Sequence, residues 1–180
     1  MNLRPARNYM IGTGLTESGG IASVLKTLKS SGLLEQWNIE LIQTHTNKSK
    51  FFGLNKAYLF ACSLFKLTYN FLFGDVGFAH IHISSRGSFT RKSIVILLCK
   101  LCKVPVILHL HGSEFQEFYN NESSALKKLW IRTTFDYCDK IIVLSTQWKS
   151  WVQTIVREKG KISIIYNAVA SAPDIQIERI

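Results

Sequence analysis

FTRKSIVILLCKLCKVPVILHLHGSE, residues 89–114, is the stretch on which the fold turns. Its first half, Phe89–Lys103, has helical apolar spacing. The Val104–Pro105 junction then disfavours further helix, because proline pushes the preceding residue towards extended backbone. Beyond it, Val106–Leu110 is a short apolar run without polar alternation, as expected of a parallel strand covered on both faces. It ends in His111-Gly112-Ser113-Glu114, the kind of strand-end loop that lines a ligand crevice in an open parallel sheet.

The same alternation extends in both directions. Upstream, strands are expected at Asn8–Gly12, Trp37–Thr44 and Phe78–Ser84, with helices at Ile21–Ser30 and Lys56–Phe73. Downstream, the sequence predicts a helix over Ser123–Tyr137, a strand over Lys140–Leu144, a helix over Thr146–Arg157 and a strand over Lys161–Tyr166. About six strand–helix alternations with short connections specify an α/β fold, a Rossmann-like doubly wound parallel sheet. The composition, 47% hydrophobic and 19% charged over 180 residues, is that of one globular domain. Residues 1–170 read as that domain and 171–180 as a linker or tail.

Composition also bounds the function. The start of the chain is charged and polar, without the apolar segment of an export signal. Ala57–Phe73 is interrupted by Lys66 and is too short to span a bilayer. Cys62, Cys99, Cys102 and Cys138 therefore read as reduced thiols, and the expected location is cytoplasmic. The net charge is +10, and residues 48–103 hold nine basic residues against one acid, Asp75. That stretch is also rich in Phe and Tyr. Basic and aromatic residues interleaved over Lys48–Phe73 suit peripheral contact with an anionic membrane, at the inner face of the plasma membrane. An ordinary core helix with a lysine rim fits the same residues. Nucleic-acid binding rests on the charge alone, and no nucleic-acid partner is expected.

Candidate site residues are those just after each strand. Ser18-Gly19-Gly20 opens a helix, where free N–H groups and a close backbone approach suit an anion, although the spacing is not a dinucleotide fingerprint. His80 and His82 share one side of a strand, followed by Ser84, Ser85, Arg86, Arg91 and Lys92, which suit a phosphate or carbohydrate. His80 alone reads as a satisfied buried histidine, and so does His109. His111, beside Gly112, is placed to meet a hydroxyl or phosphate oxygen. His109 and His111 could be metal ligands, but no Asp or Cys falls at matching spacing, so no metal and no cofactor are expected. Ser145 begins a helix, where capping or ligand contact is open to it. Cys99 and Cys102 lie late in an apolar helix and read as core residues, without a lowered thiol pKa.

Taken in order, Ser18-Gly19-Gly20, His80-x-His82, Phe89-Thr90-Arg91-Lys92-Ser93, Val106–Ser113, Ile142–Ser145 and Ile165–Val169 resemble the N-terminal domain of glycosyltransferase family 4. These are retaining GT-B enzymes that build bacterial polysaccharides and glycolipids, and the resemblance covers about Tyr9–Val169. It implies an acceptor-side half-domain. Gly19 and Gly20 match the loop that approaches donor diphosphate or acceptor, and His111 matches the histidine that contacts the transferred sugar, the catalytic candidate. Substrate contacts are expected from Gly19, Gly20, His82, Arg86, Arg91, Gly112, Ser145 and Asn167. The family's N-G-V-D segment is Asn167-Ala168-Val169-Ala170 here. The nucleotide-sugar donor is expected to need a missing or separate C-terminal domain, which carries a glutamate pair. The expected acceptor is a polysaccharide or a lipid-linked sugar. A non-catalytic glycan- or membrane-binding module is the alternative.

Overall fold

In a computed structural model, residues 6–46 and 54–167 are described. Lys48, Lys50, Phe51 and Phe52, and the segment from Ala168 onward, lie outside them. The strands are β1 (Arg7–Gly12), β2 (Ile39–Gln43), β3 (Val76–Ile83), β4 (Val106–Leu110), β5 (Lys140–Val143) and β6 (Ile162–Ile164). They form one parallel sheet in the order β2-β1-β3-β4-β5-β6. The α-helices are α1 (Gly20–Ser30), α2 (Leu33–Gln36), α3 (Leu54–Phe73), α4 (Gly87–Leu101), α5 (Phe115–Asn120), α6 (Ala125–Tyr137) and α7 (Thr146–Ile155). The sheet is Rossmann-like and has the architecture of a GT-B half-domain. The order reverses direction between β1 and β3, which is where an open α/β sheet opens a crevice.

Alternation along the strands divides the sheet into unequal faces. Ala79, Ile81 and Ile83 of β3 and Val106, Leu108 and Leu110 of β4 point into the larger core, against Phe89, Val95, Ile96, Phe115 and Phe135. The intervening residues, including His80, His82, His109 and His111, belong to the opposite face. There α1 and α2 cover a smaller cluster around Met10, Leu25 and Leu34. A groove of about 500 Å³ remains on that face, with Phe78, His80, Ile107, His109 and Ile142 among its lining residues.

Helix ends follow local chemistry. α4 stops in a Schellman arrangement: the Val104 N–H donates to the Cys99 carbonyl at 2.9 Å, while Lys103 sits at φ 57 in the left-handed region. α6 is capped at its start by Ser124, whose side chain accepts from the Lys127 N–H. At its end the buried Lys161 ammonium donates to the carbonyls of Phe135, Asp136 and Cys138 at 3.0, 3.0 and 2.8 Å. A cation is favoured there by the helix dipole as well as by the bonds.

Several expected boundaries move. β2 begins at Ile39 rather than Trp37, because Asn38 adopts φ 48 and breaks the extended run. β6 ends at Ile164, and α7 at Ile155. The short helices α2 and α5 fall in stretches expected to be connections. α5 forms because Phe115 and Phe118, one turn apart, both bury in the main core.

Candidate functional site

At the carboxyl ends of the strands lies a crevice of about 320 Å³, lined by Thr13, Ser18, Gly19, Gly20, Ile21, Ala22, Ser84, His111, Gly112, Leu144 and Asn167. Gly19, Gly20, His111, Gly112 and Asn167 thus come together in one place. Gly19 has φ 110 and ψ 168, a conformation open essentially to glycine alone. It is the N-cap of α1, yet no side chain caps this end and no acid lies in the first turn. The terminal N–H groups of an 11-residue helix are therefore offered to the crevice with their dipole. Gly112, at φ 97, turns the chain sharply after β4.

His111 lines this crevice but is only 4% exposed, and its Nε2 lies 2.9 Å from Nδ1 of His82. Removing His111 would therefore leave a buried ring nitrogen of His82 without its partner. His82 is fully buried beneath it and lies one residue layer below the crevice. It is not among the residues that line the crevice, and it meets His111 instead.

Of three other expected contacts, Arg86 and Ser145 are engaged elsewhere, and Arg91 lies away from the crevice. Arg86, at φ 55 ahead of α4, forms a salt bridge with Glu122, its Nε at 2.9 Å, and another with Glu114. Hydrogen bonds to Glu122 and Glu114 raise its pKa further. It ties the β3–α4 loop to the residues around α5 instead of lining the crevice. Arg91 is half-buried on α4, its Nε has no partner, and it is not among the lining residues. The Ser145 hydroxyl accepts from the Trp148 N–H at 3.2 Å and caps α7, the capping role being the one realised.

Beneath the crevice two H-x-H strands lie side by side, with His82 in register with His109. Their rings stack in a ladder: His80 and His109 are nearly parallel at 7°, and Nε2 of His80 lies 3.3 Å from Nδ1 of His109. Burial, reinforced by the neighbouring rings, lowers the pKa of His80 to about 4 and that of His109 to about 2. Burial alone takes His111 to about 4, and His82 is pushed well below its ordinary value. All four rings are neutral at pH 7, so each has one N–H and one lone pair. Counting ligands within a single strand misses this cluster; two adjacent H-x-H strands are the available signal.

Lys92 also sits differently from the expectation that placed it with the strand-end cations. It belongs to the buried side of α4 with Val95, Ile96 and Cys99, is 0% exposed, and its Nζ has no partner. Burial, with the Arg91 charge second, lowers its pKa to about 7. The cysteines are free; Cys99 and Cys138 are buried, and burial pushes the Cys138 thiol up to about 12.

No curated protein matches the chain. Residues 49–172, however, match Glycosyltransferase Family 4. That span runs from ahead of α3 past β6 and includes the histidine ladder, Gly112 and Asn167. With the parallel sheet and its strand-end crevice, it establishes that the chain belongs to glycosyltransferase family 4.

Proposed function

We propose that this domain is the acceptor-side half of a retaining glycosyltransferase, which passes a sugar from a nucleotide-sugar donor to a polysaccharide or glycolipid acceptor. The observation that carries the reading is the crevice itself. An uncapped helix N-terminus and a neutral His111 line the same small space, and Asn167 closes it. Backbone N–H groups there stabilise developing negative charge on a departing diphosphate, and a neutral imidazole exchanges hydrogen bonds with a sugar hydroxyl. The sugar nucleotide itself is held by a donor-binding half, so transfer needs both.

An exposed apolar stripe supports peripheral membrane contact, which suits a lipid-linked acceptor. Ser63, Leu67 and Phe71 bury one side of α3, whereas Tyr58, Phe65, Tyr69, Leu72 and Phe73 face solvent, Phe65 and Phe73 at 75% exposure. Ile94, Leu97 and Leu101 of α4 add to the exposed apolar surface. Apolar patches of this kind on a basic protein fit an anionic lipid surface. Among the described residues no helix is long and apolar enough to cross a membrane. The stripe also favours a second reading, a non-catalytic module that holds a glycan or membrane.

The test is transfer from UDP- or GDP-sugars to a lipid-linked acceptor by the enzyme completed with its donor-binding half. Gly20→Val puts a branched side chain beside the crevice, where a Cβ meets nothing within 4 Å and folding is spared. Turnover should fall by about tenfold or more. Unchanged turnover would remove the crevice from the reaction, and absence of transfer in the completed enzyme would favour the binding module.

A further inference from the structure

The transferase reading uses the crevice edge of His111 and leaves the rest of the ladder without a role. His80, His82 and His109 each bring a ring nitrogen to within 4.8 Å of those of the other two. Nε2 of His82 and Nε2 of His109 are buried with no hydrogen-bond partner. A buried polar atom left unpaired is costly and uncommon, so two in one cluster call for an occupant.

The chemistry of the donors narrows what that occupant is. A cation is bound by the lone pair of a neutral imidazole, and burial keeps these rings neutral. When His82 donates from Nδ1 to His111, its unpartnered Nε2 carries the lone pair. His111 then acts from behind the ligand, as outer hydrogen bonds do in metal sites. His80 is only partly buried, and His80 and His109 both line the groove on this sheet face, which gives a path from solvent. The three donors are all imidazole nitrogens, which suit zinc, nickel, cobalt or copper better than calcium or magnesium.

We propose that His80, His82 and His109 form a site for a first-row divalent transition-metal ion, with zinc the ion to test first. Three protein ligands leave a fourth position for water or a ligand in the groove. Ligating nitrogens in a tetrahedral site lie about 3.3 Å apart, so the ring nitrogens must close by up to about 1.5 Å. The lone pair that accepts in the His80–His109 bond goes to the ion instead, and each ring keeps its one N–H. The Lys92 ammonium opposes a cation near His82, so the three imidazole donors must outweigh it. This site does not depend on the transferase reading.

Calorimetric titration of ZnCl2 into the tag-free, chelator-stripped chain should show one ion bound with micromolar or tighter affinity. His80→Gln, at the partly exposed end of the ladder, should weaken it by about tenfold or more. His45→Gln, outside the ladder, should leave it unchanged. X-ray absorption on the cobalt-loaded wild-type chain should show imidazole donors, and this does not rely on any variant folding. No saturable zinc binding to the folded chain, binding that His80→Gln leaves intact, or an oxygen-only cobalt shell would each overturn the site.

Discussion

Replacing Lys92 by Met should stabilise the protein, and more so at lower pH. The ammonium is fully buried on α4, its Nζ has no partner, and the charge acting on it is the like-charged Arg91. Lowering of its pKa from 10.5 to about 7 measures the cost of holding the charge inside. At about 1.4 kcal/mol per unit this sets a ceiling near 5 kcal/mol. Local opening and water entry reduce it, so the gain from an apolar side chain of similar length is about 1–4 kcal/mol. The sign follows from linkage: between pH 7 and 10.5 the unfolded chain binds the extra proton, so the wild type gains stability as pH rises through that window. Below pH 7 both states are protonated and the penalty is complete. Urea unfolding of wild type and Lys92→Met at pH 6 and pH 9 is the assay. The variant should be the more stable at pH 6, and the gap should narrow at pH 9. A variant that is less stable at pH 6 would mean that Lys92 has a compensating partner, and the reasoning would fail.

The second buried lysine should behave in the opposite way. Lys161→Met removes three bonds to the end of α6 and should cost about 2–4 kcal/mol in thermal or urea unfolding, since bonds from a charged donor contribute more than neutral ones. Gly112→Ala, forced to φ 97 with its Cβ 3.4 Å from that of Ser84, should cost about 1–2 kcal/mol by the same measurement. Phe65→Ser with Tyr69→Ser should reduce cosedimentation with anionic vesicles while leaving the melting temperature close to wild type. Equal attachment of the wild type to neutral and anionic vesicles would count against the membrane contact.

The sheet is legible in the sequence because helical spacing over Phe89–Lys103, the break at Val104–Pro105 and the short apolar run Val106–Leu110 together separate strand from helix. Short elements are not: α2 and α5 are too brief to show a period, and α5 is held by the burial of Phe115 and Phe118. In the crevice, glycines and strand-end residues can be placed because their position follows from topology. Arg86 cannot, because Glu114 and Glu122 that capture it lie 28 and 36 residues away in sequence. Lys92 is readable in principle, since Lys92, Val95, Ile96 and Cys99 have the spacing of one helix face. Its charge argues for the surface; its place on that face draws it inward in the fold. The ladder requires knowing that β3 and β4 are neighbours with His82 opposite His109, which no single strand reveals.

The division of labour between two halves is tested most directly by titrating UDP-sugars and GDP-sugars into this chain by calorimetry. No saturable binding in the micromolar range is expected, because in the proposed division this half contributes only a helix N-terminus, His111 and their neighbours. Micromolar affinity for a nucleotide sugar in the absence of a donor-binding half would contradict it.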